Sequence, residues 1–203
     1  QDWKTRAGGL FARVDPKSYE IANLRLLRPE RLTRTSSLGR LFDAVAFLLG
    51  ICDENRCEAL AAMRLESAAR SSGMTDPWRF AIAPVSDSKD RWEMDVRPMM
   101  LDLLTGLETG QSVSTLARAF HETVATMLST AVDLAAGRFG LNQVVLSGGC
   151  FANRLMTERV VELLSGSGRE VFVHRRVPTG DGGLALGQAV VAGRRHGRAE
   201  VCA

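Results

Sequence analysis

At 203 residues, 45% hydrophobic and 24% charged, the chain can build one domain or two small ones around an ordinary packed core. A net charge of +3, with arginines gathered only at 25–40 and 194–198, argues against nucleic acid, and no apolar run approaches the roughly 20 residues that cross a bilayer. Cys52, Cys57, Cys150 and Cys202 form neither a C-x-x-C pair nor a disulfide framework and no signal peptide is visible, so a reducing cytoplasm is expected; the opening on Gln1 suggests a piece of a longer product.

Ser36 to Leu49 is predicted helical, because Leu38, Leu41, Phe42, Val45, Leu48 and Leu49 recur at spacings of three and four and Gly50 follows. The alanine-rich run Cys57 to Ala69 predicts a second helix. Trp78 to Val85 and Arg91 to Val96 read as strands of a hairpin around a polar turn at 86–90. Pro98 opens a helix to about Leu107, and Ser112 to Phe139 is the longest helix, capped by Ser112 or Ser114 and broken at Gly137 or Gly140. Strand Gln143 to Leu146, helix Phe151 to Leu164, strand Glu170 to His174 and helix Gly182 to Gly193 then alternate, which predicts parallel strands joined by crossover helices. A helical segment at 1–75 and an α/β subdomain at 76–203 are the expected divisions.

Chemistry concentrates at two of these junctions. Ser147-Gly148-Gly149 follows a strand and precedes a helix, so the main chain can turn sharply and a flat or anionic ligand can approach without meeting a Cβ. Asn153 is expected in the first helical turn, able to donate and accept there, although a tight turn that binds nothing has the same sequence. Thr179-Gly180-Asp181 stands at an equivalent junction, and ligands of open α/β sheets lie beyond the carboxyl ends of the strands, so both loops should emerge at one edge. Asp181 suits an N-cap that accepts the N–H of Gly183 or Leu184. Cys150 is read as a small apolar filler, and His121, His174 and His196 fall at no spacing that puts two on one helix face. Arg40 and Asp43 can form an i,i+3 pair.

Taken together, Ser147-Gly148-Gly149-Cys150-Phe151-Ala152-Asn153-Arg154-Leu155, Val177-Pro178-Thr179-Gly180-Asp181-Gly182-Gly183-Leu184-Ala185-Leu186-Gly187-Gln188-Ala189, Thr35-Ser36-Ser37-Leu38-Gly39-Arg40-Leu41-Phe42-Asp43 and Ala119-Phe120-His121 give a chain that resembles the C-terminal part of HypF, the carbamoyltransferase family of nickel-iron hydrogenase maturation. The resemblance implies an actin-like, ribonuclease-H-like α/β half-domain preceded by a helical segment, within a larger multidomain enzyme. It implies carbamoyl adenylate, made from ATP and carbamoyl phosphate elsewhere in the enzyme, as the ligand, and the C-terminal cysteine of a HypE-like protein as the acceptor. Ser37, Arg40, Asp43, Ser147, Gly148, Gly149 and Asn153 would line the nucleotide, His121 and Asp181 would serve catalysis, and Asp181 would share a divalent iron or zinc ion with two histidines of a half absent from this chain. The fragment alone is then expected to be inactive. Ala59, Leu60, Arg64, Ala152 and Gly180 depart from the family's usual residues, so a divergent or non-catalytic docking fragment is the alternative, beside part of a related O-carbamoyl or threonylcarbamoyl transferase.

Overall fold

The structure is a computed structural model that describes residues 12–33, 35–85 and 91–199. The chain divides into two compact units, Gln1–Thr123 and Val124–Ala203.

Among its described residues the first unit is helical apart from one hairpin and the connecting turns. Helix α1 (Pro16–Leu26) was not legible in the apolar pattern, since it buries none of its residues; it starts because the Asp15 carboxylate accepts the Ser18 N–H at 2.9 Å and Pro16 presets the first turn. Helix α2 (Leu38–Leu48) buries Phe42, Val45 and Ala46 on the predicted stripe. Helix α3 (Leu60–Arg70) begins three residues later than Cys57, because Ala59 adopts a left-handed φ of 58° and the Asn55 side chain accepts the Ala61 N–H at 2.9 Å. Strands β1 (Ala81–Pro84) and β2 (Trp92–Asp95) pair antiparallel from Ala81↔Asp95 to Pro84↔Trp92; the turn expected between them at 86–90 lies outside the described residues. Helix α4 (Arg97–Glu108) buries Met99 and Leu103. Helix α5 (Val113–Phe139) is capped by Ser112, whose Oγ accepts the Thr115 N–H at 3.1 Å, and runs through Gly137 to stop before Gly140. Phe42 of α2 and Phe120 of α5 meet edge to face at 4.8 Å between centroids, which fixes these two helices against each other in the core.

In the second unit, β3 (Gln143–Leu146) and β4 (Glu170–Val173) pair parallel from Gln143↔Glu170 to Leu146↔Val173, joined through helix α6 (Arg154–Gly166). Leu155, Met156, Val160 and Leu164 of α6 are buried, as is Leu146 of β3. Val145 and Phe172, opposite each other in the register, remain 67% and 43% exposed. Helix α7 (Leu184–Ala199) closes the described chain. Among the described residues every strand follows residue 76, and no helix is long and apolar enough to cross a membrane.

Candidate functional site

The parallel register brings the two expected loops together. Gly148, at φ 106° and ψ 160°, holds a backbone shape that L side chains rarely adopt, and its N–H donates to the Thr179 carbonyl at 2.8 Å. Ser147 Oγ lies 3.4 Å from the same carbonyl. A Cβ built on Gly180 would sit 3.5 Å from Gly149 Cα, so the two loops touch through their glycines. Built on Gly148 or Gly149, by contrast, a Cβ would meet nothing within 4 Å. The result is a bare backbone floor that a planar group can approach.

Two expectations are corrected here. The chain after Gly148 first makes a 3-10 turn, Gly149–Ala152, in which Phe151 and Asn153 donate their N–H groups to the Gly148 and Cys150 carbonyls. Asn153 is therefore the N-cap of α6 and not part of its first turn: its Oδ1 accepts the Met156 N–H at 2.9 Å, and the residue is 8% exposed. Asp181 does not cap α7. The Gly183 and Leu184 N–H groups go to the backbone carbonyls of Gly180 and Asp181 in a 3-10 turn, Asp181–Gly183. Its carboxylate is exposed and makes no hydrogen bond or ion pair among the described residues. Gly183 is held by packing, since a Cβ there would come within 2.5 Å of the Pro178 carbonyl oxygen.

His174, which no spacing in the sequence singles out, belongs to this cluster. Its Nε2 lies 3.2 Å from Ser147 Oγ, and both residues line a cavity of about 640 Å³ with Gly180, Leu184, Gln188 and Val191. The predicted strand ran one residue too far, to His174; β4 ends at Val173, opposite Leu146, which puts His174 and Ser147 at matching positions just beyond the two parallel strands. Cys150 is half-buried, and burial pushes its thiol up in pKa, the opposite of an activated nucleophile.

The remaining expected residues lie in the first unit. Ser37 occupies the N-cap of α2 without a side-chain cap bond, its N–H donating to Thr35 Oγ1 at 3.1 Å. Arg40 approaches Asp43 Oδ2 at 2.9 Å, an ion-pair contact without hydrogen-bond alignment, while Asp43 Oδ1 accepts from Asn55 at 2.8 Å. Asn55, missed in the sequence, thus ties α2 to the start of α3. His121 is 1% exposed, with Nδ1 2.8 Å from the Ala117 carbonyl and its ring edge-on to Phe42 and Phe120. Burial holds its pKa below the ordinary histidine value, and the Ala117 hydrogen bond opposes that shift.

Among the described residues no three His, Cys, Asp or Glu side chains gather as a metal site. One free carboxylate cannot fix an ion's geometry, so the residues present do not fit a complete metal centre.

Residues 6–188 match the family model described as the carbamoyltransferase Kae1-like domain, second subdomain. The chain is 36% identical over 167 residues to a carbamoyltransferase HypF homolog of Cupriavidus necator, covering 80% of this chain and 41% of that protein. It superposes on full-length HypF in a phosphate- and nucleotide-bound form with a TM-score of 0.83 and 34% identity, covering 94% of this chain and 24% of that one. It is also similar to HypF of T. kodakarensis, with a TM-score of 0.71, 27% identity and coverage of 93% and 24%. The chain thus spans 41% of the first of these proteins and about a quarter of the other two, and its fold is the expected actin-like, ribonuclease-H-like α/β half-domain.

Proposed function

The chain belongs to the HypF carbamoyltransferase family, and on that premise we propose that it supplies one side of a carbamoyl-transfer site working in the cytoplasm on carbamoyl adenylate. The observation that carries the reading is the bare floor of Gly148, Gly149 and Gly180, where two loops touch and no side chain occupies the space above Gly149. In this reading Ser147 and the glycine backbone meet the adenylate, and Asn153 keeps the floor in place by capping α6. Within the first unit Ser37, Arg40 and Asp43 are offered as nucleotide contacts on the family resemblance, with Asp43 steering the exposed Arg40 guanidinium. His121, buried beneath Phe42, supports α2 as a positioning residue.

The donor is made from ATP and carbamoyl phosphate by other parts of the longer protein, and the acceptor is the C-terminal cysteine of a HypE-like partner. The thiolate sulfur attacks the carbamoyl carbon, a C–S bond forms, the bond from that carbon to the phosphate oxygen breaks, and AMP leaves with the electron pair; the thiol proton has already gone to solvent. Asp181 is offered as the one ligand this chain lends to a divalent ion completed outside it, and no step is routed through that ion.

Gly149→Val tests the floor. Gly149 has no positive φ and open space at its Cβ position, so the fold should survive while the branched side chain fills the ligand's place. Carbamoylation of the acceptor cysteine by the complete protein is expected to be abolished with thermal unfolding unchanged; a normal transfer rate would reduce the loop to a bare turn.

A further inference from the structure

We propose that His174 is a positioning residue that sets the Ser147 hydroxyl as a hydrogen-bond acceptor for an N–H or O–H group of the carbamoyl donor; the part concerning the donor rests on the reading above.

Because Leu146 lies opposite Val173 in a parallel pair, Ser147 and His174 leave the two strands side by side, 3.2 Å apart between Oγ and Nε2. A serine hydroxyl has one proton and two acceptor lone pairs. The Thr179 carbonyl, 3.4 Å from Oγ, can only accept, and it is anchored by the Gly148 N–H at 2.8 Å. The hydroxyl proton therefore points at Thr179. For His174 to bond the same oxygen, Nε2 must carry a proton and donate, which fixes the tautomer. One lone pair of Oγ is left for the cavity that both residues line. An acceptor there suits a ribose hydroxyl or the carbamoyl amide and disfavours phosphate oxygens, which are acceptors themselves. Without the imidazole only the long 3.4 Å contact to the Thr179 carbonyl holds the hydroxyl, which can then turn its proton toward the cavity, and the preference weakens.

The tautomer can be read in the 203-residue chain without any ligand. Nitrogen NMR of the imidazole at alkaline pH should show Nε2 of His174 protonated and should shift when Ser147 becomes alanine; a protonated Nδ1 overturns the proposal. In the complete transferring protein, His174→Ala and Ser147→Ala should each raise the KM for carbamoyl adenylate about two- to tenfold, with kcat and unfolding temperature unchanged. The double variant should be no worse than the larger single one, and His174→Gln, which keeps a side-chain N–H, should stay within about twofold of the parent. Additive losses, an unchanged KM, or a fall in kcat would overturn it. Adenylates lacking one ribose hydroxyl locate the contact: the Ser147→Ala penalty disappears with the donor whose hydroxyl met Ser147, and persists with both if the carbamoyl amide does. If Gly149→Val leaves transfer intact, the ligand reading fails while the tautomer result still decides the pairing.

Discussion

Asp181 is spared any structural duty by the fold, because the amides it was expected to cap are taken by backbone carbonyls. Asp181→Asn should therefore change stability by less than about 0.5 kcal/mol, the range of an ordinary surface substitution. Carbamoylation by the complete protein should nevertheless fall strongly, since the neutral amide is a poorer ligand than the carboxylate. Both quantities belong on one preparation, together with elemental analysis of the 203-residue chain, for which well under one equivalent of iron or zinc is expected; normal transfer would strike Asp181 from the site. His121 gives a pH prediction of determinate sign. Its folded pKa is depressed by burial, so the unfolded chain binds more protons below the free histidine value of roughly 6.5. The contribution is fully present above that pH and is lost as pH falls below it. The unfolding temperature should drop between about pH 7 and 5 more steeply than in His121→Gln, which carries no ionisable group there; parallel curves would mean that the ring titrates alike in both states.

At the scale of elements, Asn153 separates a cap from a ligand contact. Asn153→Ala should cost about 0.5–2 kcal/mol by freeing the Met156 N–H, and Asn153→Asp, which can still accept, should recover most of it. If Asn153→Asp also restores carbamoyl transfer, the side-chain amide meets no ligand, and the residue acts through the start of α6 alone. Most elements were legible: β3 was placed at Gln143–Leu146 by its β-branched run, and α2 by its apolar spacing. The failures have local causes. No stripe announces α1, none of whose residues is buried. The left-handed turn at Ala59 and the Asn55 cap delay α3, because alanine composition says where a helix is tolerated and not where its first amide is satisfied. The 3-10 turn at Gly149–Ala152 moves α6 along by one turn, which is why the loop was found and the place of Asn153 within it was not. Side-chain partners that reach across distant sequence, such as Ser147 and His174, become visible only once the register is known.

Over the whole molecule, the two units divide the expected residues, with Ser37, Arg40, Asp43 and His121 in one and Ser147, Gly148, Gly149, Asn153 and Asp181 in the other. The boundary lies inside α5, where no break in composition marks it, and so only the motifs carried the family likeness through the sequence. One feature of the second unit bears on how this chain behaves in a tube. From Leu184 to Gly193 α7 carries no charge, and Leu184, Leu186, Val190 and Val191 are each more than half exposed, as Val145 is on the sheet. Parallel strands are ordinarily covered on both faces, and a helix greasy all round is ordinarily interior. Water meets that surface here at a cost of roughly 25 cal/mol per Å² of apolar area left uncovered. The 203-residue chain should accordingly cluster as it is concentrated. Light scattering should rise with protein concentration and with added sulfate, and fall in a Val145→Lys, Val190→Lys variant; a monomer indifferent to salt would contradict it. Yield and storage, more than catalysis, would then be the first properties an experimenter notices, and a charged residue on this greasy skin would be the first remedy.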